Sequence, residues 1–332
     1  MIRIALVGYG YWGPRLARHL SSPGRSRLAA ICDLAPGRLA VAAEDHPDVL
    51  LTVDAAEIGR SSSIDAVVVA TPAASHFDIA LQALAGGKHT LVCKPLADSA
   101  DRASRLVDEA DRRRRVLLVD HTAVYSGAID AMREVVRSGR LGQVHYWDAT
   151  RVNLGLFRPD VSVLWDLAIH DLAAIDHVLG QRPDAVSATG AGHLQGWPAS
   201  AAYVTLFLPA GAVAHINVNW LAPLKVRRTV VGGSEAMLVQ DELQSSPPLQ
   251  LRLYDRGVSS LAEEEVSYRD GEVTALPFDG REPLAREVEH FLDCIEGVTS
   301  PMTSGEAALR LVRVLEHAEA SLRALGRPVE LS

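Results

Sequence analysis

The sequence has little cysteine, no long apolar run and no excess of positive charge. Its three cysteines, Cys32, Cys93 and Cys294, lie far apart and form no C-x-x-C pair, which argues against a disulfide framework or a structural zinc site. No apolar stretch reaches the length needed to span a bilayer. The chain opens directly on an apolar strand at Ile2–Val7 with no leader-like segment, so a cytoplasmic protein is expected. Its 33 Lys and Arg are outnumbered by 41 Asp and Glu, a formal charge of −8, and neither nucleic acid nor a membrane is an expected partner. The densest basic run, residues 112–115, closes a helical pattern and reads as a solvated helix end. There is no H-E-x-x-H, no other compact metal spacing and no nucleophile elbow. No metal site and no Ser-His-Asp chemistry are expected.

What is present is enough apolar residue for a large core, 48% of 332 positions, and a length that suits two domains. Strand and helix signals alternate through residues 1–122, as in a doubly wound parallel sheet. Residues 66–70 form a continuous Val-rich run of the kind buried on both faces. From about residue 184 short strands separated by turn residues dominate, after a long helical pattern at 164–179. The expected fold is α/β. A doubly wound domain at 1–122 precedes an α+β domain at 123–332 with a largely antiparallel sheet.

Chemistry enters with Gly8-Tyr9-Gly10-Tyr11-Trp12-Gly13, a G-x-G-x-x-G that follows a strand and opens a helix. The glycines allow a tight turn, close approach of a pyrophosphate and close helix packing, and the helix N-terminus attracts the anion. Asp33 ends the next strand, where a carboxylate accepts from ribose hydroxyls and repels a 2′-phosphate. This favours NAD over NADP, although Arg38 lies nearby and moderates the preference. Lys94-Pro95 directly follows an apolar strand, at the sheet end where ligands bind, although a surface lysine before a turn reads equally well. Thr71, Pro72 and His76 follow the Val-rich strand and are candidates to line the nicotinamide pocket.

In Trp165-Asp166-Leu167-Ala168-Ile169-His170-Asp171, Asp166 and His170 share one helix face. The imidazole suits removal of an alcohol proton and the carboxylate suits orienting it. A helix-stabilising Asp–His pair explains the same spacing. His121 and Tyr125 either meet substrate or pack between domains. Arg151 and Asn153, on one side of a strand, either bind a polar or anionic substrate or form a salt bridge.

Together these motifs resemble the glucose–fructose oxidoreductase / inositol dehydrogenase / MocA family over essentially the whole chain. The resemblance implies a Rossmann domain, an open, mostly antiparallel sheet, and a catalytic Lys94, Asp166 and His170. It also implies NAD as cofactor, a sugar or cyclitol substrate, and a homodimer or homotetramer. The residues expected to meet substrate are Trp165, Asp166 and His170, together with His121, Tyr125, Arg151 and Asn153 from the reading above. The family commonly reads Glu-Lys-Pro; here Cys93 replaces the Glu, which bears on positioning near the nicotinamide. A narrower likeness, in residues 119–122, 151–155 and 164–171, is to nucleotide-sugar 3-dehydrogenases and relatives in antibiotic amino-sugar pathways. The expected function is therefore NAD-dependent oxidation of a ring hydroxyl, best placed at C3, to a ketone ahead of transamination. The alternatives are an NADPH-dependent ketosugar reductase and an NAD-binding regulator without turnover.

Overall fold

The computed structural model describes residues 1–155, 157–262 and 265–331. In chain order the elements are β1 (Ile2–Val7), α1 (Gly13–Leu20), β2 (Ser26–Cys32), α2 (Pro36–Asp45), β3 (Leu50–Thr52), α3 (Ala55–Arg60), β4 (Ala66–Val69), α4 (His76–Ala85), β5 (His89–Cys93), α5 (Ala100–Arg113), β6 (Leu117–Asp120) and a 3-10 turn at Thr122–Tyr125. They continue with α6 (Gly127–Arg137), β7 (Val144–Leu154), a π turn at Leu164–Ala168, α7 (Ile169–Leu179), β8 (Ala185–Ala191), β9 (Ala201–Phe207), β10 (Val213–Asn219), β11 (Leu221–Gly233), β12 (Met237–Asp241), α8 (Pro247–Gln250), β13 (Leu251–Ala262), β14 (Glu265–Ala275), α9 (Pro283–Ile295), α10 (Gly305–Arg323) and β15 (Val329–Glu330). Among the described residues no helix is long and apolar enough to cross a membrane.

Two compact units form: residues 1–125 with 282–313, and residues 126–281 with 314–332. The division expected after residue 122 is thus close at that point. The segment 282–313, however, was assigned to the second domain and folds with the first. The reason is apolar: Leu284, Val288, Phe291 and Leu292 of α9 bury into the same core as Leu6, Leu16 and Ile31.

The first unit holds a six-stranded parallel sheet in the order β3-β2-β1-β4-β5-β6. All four residues of β4 are buried, so the strand has no polar face and reads as an unbroken apolar run. Register aligns the strand ends: Val7 pairs with Cys32 and Val69, Val69 with Val92, and Cys93 with Asp120. Gly8, Asp33, Thr71, Lys94 and His121 therefore emerge along one edge. The chain order reverses between β1 and β4 at that edge, where doubly wound sheets bind ligands.

The second unit carries a nine-stranded sheet, β14-β13-β12-β11-β7-β10-β9-β8-β15. Its pairings are antiparallel except β7 with β10. Burial alternates along β9 and β10, with Ala202, Val204, Leu206, Ala214, Ile216 and Val218 inside and Tyr203, Phe207 and Val213 exposed.

Candidate active site

In the first unit the phosphate loop is shaped by backbone crowding. Gly8 has φ +101°, and a Cβ there would sit 2.5 Å from the Ala70 carbonyl oxygen; one on Gly13 would sit 2.7 Å from that of Gly8. Gly10 is different. A Cβ there would meet nothing nearer than the Arg38 guanidinium at 3.6 Å, so the loop surface is open where a pyrophosphate approaches. Helix α1 starts at Gly13 with no side-chain cap at Trp12, which leaves its first N–H groups for an anion. These features fit a dinucleotide.

Asp33 is 6% exposed. Its Oδ2 accepts from the Tyr9 N–H at 2.7 Å and its Oδ1 from the Ala35 N–H at 2.8 Å, with Arg38 Nη1 at 3.4 Å. Of the loop side chains, Tyr9 is buried and its hydroxyl donates to Asp45 at 2.8 Å; burial and this bond push its pKa up. Tyr11 and Trp12 are exposed, and the Arg15 guanidinium lies 3.9 Å over the Tyr11 ring.

His76 is buried, with Nδ1 at 2.7 Å from the Pro95 carbonyl and Nε2 at 2.8 Å from that of Thr71. The ring ties the Thr71-Pro72 turn to the Lys94-Pro95 turn. It was expected to line the cofactor pocket; both of its nitrogens are engaged in this tie instead. Burial pushes its pKa down, against the two carbonyls. Lys94 is half-buried and joined to Pro95 by a cis bond.

Tyr125 and His121 were expected near substrate. Tyr125 is 1% exposed and its hydroxyl pairs with Thr303 at 2.9 Å, so it packs inside the first unit. His121 is 2% exposed and neither ring nitrogen has a hydrogen-bond partner; burial pushes its pKa down to about 4.

In the second unit the expected single helix at 164–179 is divided. Leu164–Ala168 forms a π turn in which the Ile169 N–H reaches the Leu164 carbonyl, and α7 follows. This wider turn replaces ordinary four-residue spacing between Asp166 and His170 and is a feature enriched at functional sites. The buried Trp220 donates its Nε1–H to Asp166 at 3.1 Å, and Arg158 Nε lies 3.5 Å from the other oxygen. Trp165, Asp166, His170 and Asn153 are half-buried.

Arg151 is corrected. It is buried, holds Asp171 through two bonds of 2.9 and 3.1 Å, and reaches Glu242 at 2.9 Å. Two carboxylates enclose it, and the salt-bridge alternative is the one the structure bears out.

The residues beside Asp166 that sequence reading did not single out are Trp220 and Arg158, whose partner is distant in sequence or across a loop.

A parallel sheet edge built this way is one at which doubly wound domains bind a dinucleotide. Residues 2–121 match the oxidoreductase family with an NAD-binding Rossmann fold, and residues 129–239 match the GFO/IDH/MocA C-terminal domain. The chain belongs to the Gfo/Idh/MocA family of oxidoreductases, and its Rossmann domain is an NAD-binding domain. It is 29% identical over 315 residues to UDP-N-acetylglucosamine 3-dehydrogenase of Acidithiobacillus ferrooxidans, covering 94% of each chain. A crystal structure of that dehydrogenase superposes with a TM-score of 0.82 at 25% identity, covering 98% of both chains. An inositol 2-dehydrogenase of Rhizobium meliloti is 27% identical over 195 residues, 57% of this chain and 58% of that one. The protein is therefore an NAD(P)-dependent sugar oxidoreductase at the level of its family.

Proposed function

We propose that the protein oxidises a ring hydroxyl of a nucleotide sugar, at C3, to a ketone that a transaminase then consumes. The observation that carries this reading is the likeness to the UDP-N-acetylglucosamine 3-dehydrogenase along 94% of both chains. Gly8–Gly13 and Asp33 would hold the dinucleotide, whose nicotinamide ring, when bound, supplies the hydride acceptor. Lys94, as ammonium, donates to the hydroxyl oxygen and stabilises the alkoxide as it develops. His170 takes the hydroxyl proton. Asp166, fixed by Trp220, orients His170 and accepts from a neighbouring hydroxyl. The exposed Tyr203, Phe207 and Val213 support self-association of the second unit's sheet, which sedimentation measures.

The test mixes the protein with NAD and a panel of UDP-N-acetylhexosamines, free sugars, amino-glycosides and cyclitols, and follows NADH absorbance. The expected result is NADH from a UDP-sugar, with a 3-keto product by mass spectrometry. Turnover confined to cyclitols or free sugars would overturn the reading. A second reading, reduction of a ketosugar with NADPH, is favoured by Arg38 beside Asp33; NADPH oxidation by the isolated ketosugar tests it.

A further inference from the structure

Two strands on the ligand edge run into proline: β4 into Thr71-Pro72 and β5 into Lys94-Pro95. Proline has no N–H, so a turn built on it lacks one of the main-chain donors that would pin a neighbouring carbonyl. His76 brings side-chain nitrogens to both turns. It heads α4, whose Phe77, Ala80, Ala83 and Leu84 are buried, so the ring is carried on a packed helix. It is 1% exposed, with Nδ1 2.7 Å from the Pro95 carbonyl oxygen and Nε2 2.8 Å from that of Thr71. A carbonyl oxygen only accepts, so each contact needs an N–H on the ring; a neutral imidazole has one and an imidazolium has two. The Thr71 side has a second hold, because Ser75 Oγ lies 2.8 Å from both Thr71 Oγ1 and the Pro72 carbonyl oxygen. For the buried Pro95 the side-chain hold is His76.

We propose that His76 is a positioning residue for Lys94, donating an N–H at Nδ1 to the Pro95 carbonyl and so fixing the main chain on which the lysine stands. The proposal deepens the reading of Lys94 above and rests on it. Lys94 is the one residue between β5 and Pro95. On its N-terminal side, Cys93 is paired with Asp120 of β6. On its C-terminal side, the pyrrolidine ring locks the proline φ. A single rotation, ψ of Pro95, then separates the held carbonyl from the amide that joins Lys94 to Pro95. Fixing that carbonyl removes most of the freedom left at the corner. The hold also extends to the phosphate loop. A Cβ on Gly8 would stand 2.5 Å from the Ala70 carbonyl oxygen and 3.0 Å from the Thr71 nitrogen, so the Thr71 turn backs directly onto that loop. Through one ring, the Lys94 corner is tied to the strand end behind the glycines.

An asparagine at this position keeps an amide nitrogen near the place of Nδ1, and a glutamine keeps one near the place of Nε2. His76→Asn therefore retains the bond to Pro95, and His76→Gln retains only the bond to Thr71. Both lose the packing of the ring, and Tm measures that shared loss. The chain has three lysines, Lys88, Lys94 and Lys225, so reductive 13C-methylation gives a spectrum in which Lys94 is resolved. Its methyl signal is expected to stay at the wild-type position in His76→Asn and to move in His76→Gln, with Lys225 unmoved in both. A Lys94 signal that stays in His76→Gln, or moves equally in the two variants, overturns the proposal. This measurement needs no substrate and stands apart from the fate of the proposed reaction. In turnover, His76→Gln is expected to lose roughly 10- to 100-fold in kcat, the scale of an ångström's misplacement of a reacting group, and His76→Asn to stay within about threefold, both with NAD affinity near wild type. A moved Lys94 signal with wild-type kcat would sink the catalytic reading of Lys94 and leave the hold on Pro95 standing. In 15N-histidine spectra of wild type, His76 is the signal missing from His76→Asn, and its Nδ1 is expected to carry a proton. An Nδ1 without one overturns the proposal whether or not His76→Gln folds.

Discussion

The two units position their candidate site residues by different means. In the first, the backbone does most of the positioning. Strand register lines up Gly8, Asp33, Thr71, Lys94 and His121 on one edge, and crowding at Gly8 and Gly13 leaves the loop a single shape. In the second, side chains do it. Asp166 is fixed by Trp220, 54 residues away, and the helix that carries His170 is fixed through Asp171, which Arg151 holds from β7. A site set by backbone survives loss of a single side chain as a fold and fails only in its chemistry. One set by a buried network loses stability as soon as the network is cut.

Lys94→Ala tests the first half of that contrast and carries the largest expected effect. Lys94 follows an intact buried strand, so the variant folds with wild-type Tm and binds NAD within a few-fold of wild type. It loses roughly 10²–10³-fold in kcat, the range seen when a preorganised donor to a developing oxyanion is removed. Steady-state kinetics and cofactor titration measure both. A lysine needed for NAD binding rather than rate would break the comparison.

Arg151→Leu tests the second half. The leucine roughly fills the space but leaves Asp171 fully buried with Glu242 nearby, and removing one partner of such a group costs about 3–5 kcal/mol. Burial pushes the Asp171 carboxyl up, and Arg151 is the largest influence opposing it. Without the arginine, the folded-state pKa of Asp171 rises further above its unfolded value. A raised carboxyl gives stability that is full below the unfolded pKa and lost as pH rises through the folded one. The variant's deficit therefore shrinks on acidification. Urea unfolding at several pH values measures this, while NAD affinity, a property of the first unit, stays unchanged. Affinity that falls with stability would mean the units do not behave separately.

The same contrast explains what could be read from the sequence. The glycine loop, Asp33 and the position of Lys94 were legible because strand length, turn and glycine dictate them locally. The parallel and antiparallel sheets were legible for a related reason. The all-buried β4 and the alternating β9 write their burial directly into residue order. The roles of Arg151 and Tyr125 were left open between two readings, because their partners Asp171, Glu242 and Thr303 are distant in sequence. The π turn at Leu164–Ala168 has no local signature.

Cofactor choice is where the first unit also depends on a side chain, and here the smallest effect is expected. Both oxygens of Asp33 accept main-chain N–H groups, which holds a negative charge beside the phosphate loop. That charge opposes a 2′-phosphate. Arg38, more than half exposed, lies 3.4 Å from the same carboxylate and reaches over Gly10, where it offers a partner to that phosphate. Asp33 is fixed by the backbone and Arg38 is not, so the wild type is expected to favour NAD while retaining measurable NADP affinity. Arg38→Leu should weaken NADPH binding about tenfold and leave NADH nearly unaltered, as expected for one exposed charge pairing (~1 kcal/mol or slightly more). Fluorescence titration with both reduced cofactors measures the difference. An equal loss for the two would place Arg38 on the pyrophosphate they share, and selectivity would then rest on Asp33 alone, a residue held by backbone like the rest of that edge.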